Sequence, residues 1–384
     1  MRFPEFSGEW NKYTINDLAT VVGGGTPDTT VKSYWGGDIQ WFTPSEIGKN
    51  KYVDFSKRTI TRDGLDNSSA KLLPLHTILL SSRATVGECS IASNECTTNQ
   101  GFQSLIAKQC NIDFLYYLIQ TKKKDLIRNA CGSTFLEISA NEIRKIKVAV
   151  PVQNEQEQIA KLLSLIDERI ATQNKIIEDL KKLKSAIIDY AINSLDTDFA
   201  KFGSLYETAG EGGTPTTSNA SFYDNGKIPF VKIDDLKQKY LTENKDFITE
   251  LGLQKSSAWL VPTRSILFSN GATIGEITIT TYPVCTKQGI LGIVPKSNID
   301  VEFLYYFMSS TYFKKAISRI VTEGTMKTAY LKDIANILCP IPTKEKQQGI
   351  AKMPSALNSK IDYEQSLLKL FIMQKQYLLR QMFI

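Results

Sequence analysis

A single histidine, His76, occurs in 384 residues. A zinc hydrolase or a His-based catalytic triad needs more imidazole than that, so neither is expected. The six cysteines (Cys89, Cys96, Cys110, Cys131, Cys285, Cys339) are scattered, with no C-x-x-C pair. That pattern argues for reduced cytosolic thiols, and against a disulfide frame or a zinc site. No apolar run reaches the roughly 18 residues that span a bilayer. The opening stretch MRFPEFSGEW lacks a basic region followed by an apolar one, so no export signal is expected and the cytoplasm is the expected location.

What is present reads as a globular protein with a hydrophobic fraction of 42%, well above the disordered regime. A chain of this length exceeds what one ordinary core supports, so two domains are expected. The net charge of +6 is compatible with a nucleic-acid partner without establishing one. Motifs of catalysis are missing: there is no G-x-S-x-G, no Asn-Pro-Pro-aromatic sequence, and no G-x-G-x-x-G following a strand.

The strongest feature is an internal repeat. Gly24-Gly25-Thr26-Pro27 returns 188 residues later as Gly212-Gly213-Thr214-Pro215. Pro74-x-x-Thr77-Ile78-Leu79 returns as Pro262-x-x-Ser265-Ile266-Leu267, and Ala84-Thr85-Val86-Gly87 as Ala272-Thr273-Ile274-Gly275. Thr98-Asn99-Gln100-Gly101 matches Thr286-Lys287-Gln288-Gly289, and Phe114-Leu115-Tyr116-Tyr117 matches Phe303-Leu304-Tyr305-Tyr306. Five blocks in one order, 188 or 189 residues apart, make the chain a tandem duplication.

Each repeat opens with a mixed domain, residues 1–150 and 194–341. Short β-like runs (Ile78-Leu79-Leu80, Ile146 to Val150, Ile266-Leu267-Phe268, Ile290 to Val294) alternate with Gly, Pro, Asn and Ser punctuation. This reads as α/β or mixed α+β. A helix is expected near Asp113, taken as its capping residue. The Gly-Gly-Thr-Pro loops read as sharp turns needing positive φ and close backbone approach. They are not nucleotide cradles, because no Lys-Ser/Thr follows the last Gly and Pro lacks a donor N–H.

A helix follows each mixed domain, over residues 151–193 and 342–384. Its apolar stripe runs Ile159, Leu163, Ile166, Ile170, Gln173, Ile177, Leu180, Lys184, Ile187, Ala191 in the first copy. The second copy gives Ile350, Pro354, Leu357, Ile361, Glu364, Leu368, Phe371, Lys375, Leu378, Met382. The polar interruptions match, and the spacing is that of a helix pairing with another helix. Two such helices, each a rod of roughly 55 Å, are expected to pair antiparallel. Ile159, Ile166, Ile170, Ile177 and Leu180, with Leu357, Ile361, Leu368, Phe371 and Leu378, are the expected interface. Gly349 and Pro354 are expected to kink or delay the second helix. The mixed acids and bases on the first helix read as a solvated face.

If the partner is DNA, the reading residues are donors in the loops of the mixed domains. Arg, Asn and Gln bond a base edge twice, whereas Lys and Ser chiefly anchor phosphates. The candidates are Thr26, Lys71, Ser82, Arg83, Asn99 and Gln100 in the first copy. Thr214, Lys255, Asn270, Lys287 and Gln288 are their counterparts in the second. The segments KNKYVDFSKRTITRDG and KQKYLTENKDFITELG diverge most between copies, as expected if each copy reads a different sequence. Two rival readings are an enzyme with unfamiliar motifs and a non-enzymatic duplicated scaffold that binds only protein, without salt-dependent affinity for DNA.

The chain closely resembles the specificity (S) subunit of Type I restriction–modification systems. The resemblance is carried by Gly132-Ser133-Thr134-Phe135-Leu136-Glu137-Ile138-Ser139 and by Val150-Pro151-Val152-Gln153-Asn154-Glu155-Gln156-Glu157-Gln158-Ile159-Ala160. Gly324-Thr325-Met326-Lys327, Pro340-Ile341-Pro342 and Gln347-Gln348-Gly349-Ile350-Ala351 form a weaker second copy. The resemblance implies two target-recognition domains, each reading half of a split asymmetric site in double-stranded DNA. It implies that the helices act as an antiparallel spacer that docks two methyltransferase subunits. S-adenosylmethionine, ATP and magnesium would then belong to the methyltransferase and restriction subunits, not to this chain.

Overall fold

The computed structural model describes residues 2–132, 136–271, 273–321 and 328–383. The resemblance-bearing Ser133-Thr134-Phe135 and Gly324-Thr325-Met326-Lys327, and the repeat residue Ala272, lie outside the described residues. The chain divides into two units, residues 1–174 with 366–384, and residues 175–365. Each unit therefore takes one mixed domain and a segment of both long helices.

In the first unit a five-stranded sheet runs in the order Ala19–Gly23, Gln103–Ala107, Ile78–Leu80, Cys89–Ala92, Tyr52–Val53. A second sheet runs Arg58–Ile60, Trp35–Phe42, Cys96–Thr98, and Asn11–Thr14 pairs antiparallel with Lys147–Val150. The second unit repeats this order with Tyr206–Glu211, Ile290–Pro295, Ile266–Ser269, Ile277–Thr280, Tyr240–Leu241. Its smaller sheets are Asp246–Ile248, Ile228–Val231, Cys285–Thr286, and Phe199–Lys201 with Leu338–Pro340. The duplication in sequence is thus a duplication of strand order.

Alternation along the central strand explains why the large sheet is buried on both faces. Ile78 and Leu80 pack with Ile91, Leu105, Phe114 and Leu118, while Leu79 faces the other way, toward Phe42, Leu73 and Phe102. Ile266 and Phe268 likewise pack with Ile279, Ile293, Phe303 and Phe307, and Leu267 packs with Val231, Leu241 and Val284. The helix Ile112–Thr121 that covers this sheet is capped by Asn111, whose side chain accepts the Phe114 N–H at 3.0 Å. Asp113 falls in its first turn instead, one residue inside the helix, where the N–H groups leave room for an acid. In the second copy Asp300 caps Val301–Ser309 in the same manner.

The long helices are Gln153–Asn193 and Lys344–Met382. Both are anchored at the start by a buried glutamine. Gln156 donates to the Pro151 carbonyl at 2.9 Å and accepts the Asn111 N–H at 3.0 Å. Gln347 donates to Pro342 at 2.8 Å and accepts the Asp300 N–H at 2.7 Å. The second helix is not delayed by Gly349 or Pro354, since it begins at Lys344 and carries Pro354 in its interior. Pro354 forgoes one backbone bond there, and its ring is buried on the inward stripe. Among the described residues no helix is long and apolar enough to cross a membrane.

Candidate nucleic-acid interface

The Gly-Gly-Thr-Pro loops are built by close approach. A Cβ on Gly24 would land on the Asn99 carbonyl oxygen, and one on Gly25 on the backbone of Ser69 and Ala70. Gly212 is pressed likewise on Thr286, and Gly213 on Ser257 and Ala258. None of these four adopts positive φ, so that half of the sequence expectation is corrected: the missing Cβ, and not left-handed backbone, is what the loop uses.

That clamp gathers most of the expected donors. In the first unit Thr26 donates its hydroxyl to the Gln100 amide oxygen, and exposed Lys71 follows the Ser69–Ala70 backbone on which Gly25 rests. Half-buried Asn99 spends its side-chain oxygen on the Gly101 N–H at 2.9 Å. In the second unit the Thr214 hydroxyl accepts the Gln288 N–H at 3.3 Å. Lys287, Gln288 and Lys255 are exposed around it.

Three expected donors are placed otherwise. Ser82 and Asn270 are buried, so neither side chain reaches solvent. Asn270 donates to the Ala329 carbonyl at 3.2 Å, and the backbone N–H groups of Ser82 and Asn270 bond the carbonyls of Gly101 and Gly289. These two residues hold the glycine of the neighbouring loop. Arg83 is exposed, but its guanidinium meets the Glu137 carboxylate at 2.6 and 3.0 Å. His76 is an exposed turn residue with φ 65°, matched by Arg264 at φ 60°.

A second duplicated constellation escaped the sequence reading. In the first unit Lys51 Nζ lies 2.8 Å from the Asp113 carboxylate and 2.6 Å from the Ser164 hydroxyl. In the second, Lys239 pairs with Glu302 and lies 2.9 Å from the Tyr306 hydroxyl and 3.0 Å from that of Ser355. Both lysines thereby tie a mixed domain to a long helix of its own unit. Burial by itself would lower the Lys239 ammonium. Its bonds to Glu302 and Tyr306 reverse this and hold it above the ordinary lysine range. The signal in sequence was the matched pair Lys51-Tyr52 and Lys239-Tyr240, spaced like the other repeat blocks.

Along the long helices the stripe residues face inward. Ile159, Ile166, Ile177, Ile361 and Leu378 are buried, and Ile170, Leu180, Leu357, Leu368 and Phe371 are half-buried. In the first unit the helix segments run antiparallel, since Asp167 meets Lys375 at 2.6 Å while Arg169, further on, stacks on Phe371, further back. In the second unit Lys184 donates to Asn358 at 2.8 Å, and Ile188 and Ile192 share a cluster with Ala351. Apolar side chains also lie exposed, off the stripe, at intervals of seven: Ile176, Leu183 and Tyr190 on one helix, Tyr363, Leu370 and Tyr377 on the other.

A model of the Type I restriction modification DNA specificity domain matches residues 7–182 and again 196–370. The chain is similar to the Type I restriction enzyme MjaIX specificity subunit of Methanocaldococcus jannaschii, 30% identical over 383 residues, covering 92% of this chain and 88% of that one. Among solved structures it is similar to the Type I restriction-modification S subunit from M. genitalium, with TM-score 0.58 and 18% identity over 100% of this chain and 99% of that one. A structure concerned with complex assembly and conformational transition of the type I R-M system gives TM-score 0.64 at 13% identity, covering 98% of each chain. At those identities the two structures bear on the fold.

Proposed function

This chain belongs to the Type I restriction modification DNA specificity family, and from that premise we propose that each of its two units reads one half of a bipartite, asymmetric DNA site. The chain is a specificity subunit of a Type I restriction–modification system, with two tandem recognition domains. One observation supports the division of labour. The same clamped rim occurs in both units, yet Asn99 beside Gln100 becomes Lys287 beside Gln288, and the flanking segment after Pro44 diverges. A rigid backbone with exchanged side chains is how a common scaffold comes to recognise two different sequences.

Reaction chemistry is assigned to other subunits. The sequence offers one histidine and lacks the motifs of a methyltransferase. On this reading S-adenosylmethionine, ATP and magnesium are bound by partners in the cytoplasm. Two methyltransferase subunits seat on the exposed side of the long helices, away from the inward stripe. Restriction subunits complete the complex, and the long helices set the gap between half-sites.

The test is a domain exchange. Residues 1–150 are replaced by the corresponding domain of another specificity subunit, and methylation by the assembled complex is mapped. One half of the recognition site is expected to change while the other half and the gap stay. Simultaneous change in both halves contradicts the proposal.

A further inference from the structure

Arg83 was the arginine that sequence pointed to, and it is engaged by Glu137. The first unit carries another arginine in a different situation. Arg58 lies exposed on the strand Arg58–Ile60, directly opposite Trp41 in the register of the small sheet. Its guanidinium carbon stands 3.6 Å above the Trp35 ring and 5.6 Å from Trp41. Among the described residues no carboxylate pairs with it, and rings are its partners. Stacking fixes a planar guanidinium while leaving its N–H donors unspent, which removes much of the rotamer entropy that a free arginine loses on binding.

The two tryptophans also fix where that guanidinium stands. They meet edge to face at 5.0 Å. Trp41 Nε1 donates to the Gly25 carbonyl at 3.0 Å, and Trp35 Nε1 donates to the Asp28 carbonyl at 3.1 Å. Both ends of the Thr26-Pro27 turn are thus fastened to the rings that carry Arg58, beside the Thr26–Gln100 pair. The second unit lacks this arrangement. Register places Phe230 where Trp41 stands and Asp246 where Arg58 stands, and Asp246 is paired with Lys232 at 2.7 Å. There the loop is fastened by the Tyr223 hydroxyl, which donates to the Pro215 carbonyl at 2.5 Å.

We propose that Arg58, held on Trp35, selects a guanine in the half-site of the first unit by donating two hydrogen bonds to its major-groove edge. The inference rests on the reading that this unit binds DNA. Guanine is the base whose O6 and N7 acceptors match a forked donor. A stacked, unpaired guanidinium, on rings fastened to the turn whose Thr26 bonds exposed Gln100, offers the donors a base edge takes, whereas the flexible Lys71 suits phosphate.

The experiment compares wild type, Arg58→Ala and Arg58→Lys, each assembled with its methyltransferase subunits. Methylation rates are measured on duplexes carrying each single-base change in both half-sites. Arg58→Ala is expected to lose roughly ten- to hundredfold discrimination at one guanine of one half-site. Arg58→Lys, which keeps the charge but not the fork, is expected to lose the same discrimination. The half-site of the second unit, unaffected in both variants, reports that the chain is folded and assembled. Unaltered discrimination in Arg58→Ala overturns the proposal, as does a loss centred on a base other than guanine. A loss uniform across sequences, with the salt slope reduced by about one, overturns it in favour of a phosphate contact. If the wild-type complex itself shows no sequence preference dependent on this chain, it is the DNA-reading function that fails.

Discussion

The Lys51 ammonium lies 2.6 Å from the Ser164 hydroxyl, and Lys239 stands 3.0 Å from Ser355 in the matching place of the second unit. A strand-edge lysine thus reaches a serine on a long helix twice in one chain. In each case the short helix supplies the counter-ion, Asp113 or Glu302. Between copies that diverge widely around it, this latch keeps its ammonium, its acid and its hydroxyl.

Lys51→Met should therefore leave Asp113 without its ion pair and Ser164 with only the longer bond from the Tyr117 hydroxyl, at 3.4 Å. A loss of about 1–3 kcal/mol is expected, the cost of stranding partly buried polar groups. Denaturant unfolding of the intact chain measures it. Wild-type stability in the variant would mean that the latch contributes nothing.

The second lysine makes the latch sensitive to alkali. The folded-state pKa of Lys239 is raised, so its contribution is fully present below the unfolded value of roughly 10.4 and fades as pH rises through the folded one. Wild type and Lys239→Met should differ in stability at pH 8, and the difference should shrink steadily as the pH rises from the unfolded lysine value toward the raised folded one. A gap that widens with pH would reverse the sign and contradict the pairing with Glu302.

Two glycines should answer oppositely to alanine. Gly213→Ala drives a Cβ into the backbone of Ser257 and Ala258 and should cost about 1–3 kcal/mol through forced movement of the loop. Gly349 sits within the helix Lys344–Met382 with open space at its Cβ position. Gly349→Ala should stabilise by about 0.5–1 kcal/mol. Thermal midpoints of the two variants check both signs together.

Thiol labelling reports on the two cores. Burial pushes the Cys96 and Cys110 thiols up to about 12 and that of Cys285 to about 11, and it raises Cys89 and Cys339 as well. Cys131 alone of the six is exposed. A disulfide reagent should modify one thiol rapidly in the native protein and all six after unfolding. Rapid reaction of two or more would place another cysteine outside its core.

Periodicity and duplication made much of this legible beforehand. The stripe from Ile159 to Lys184 and its copy from Ile350 to Leu378 follow from helical spacing alone, and every residue of both is buried or half-buried. The central strands 78–80 and 266–269 were equally visible as short apolar runs between turn residues. Local chemistry was less decisive. Asn111 and Asp113 both suit a cap, and only backbone geometry separates them. Long-range pairing of individual side chains was not legible. Arg83 meets Glu137 across 54 residues, and Arg58 reaches Trp35 through a strand register that no local pattern encodes. Ser82 and Asn270 looked like loop donors because burial depends on what packs over them, which a sequence does not print.

Reading of two separate stretches of duplex by two recognition units is tested most directly by the genome-wide methylation pattern of the complex assembled with this chain, beside that of a variant altered only at Lys287 and Gln288. An interrupted site of two fixed halves separated by a constant gap is expected, with the variant relaxed in one half alone. A continuous site, or a pattern that is the same without this chain, contradicts that reading.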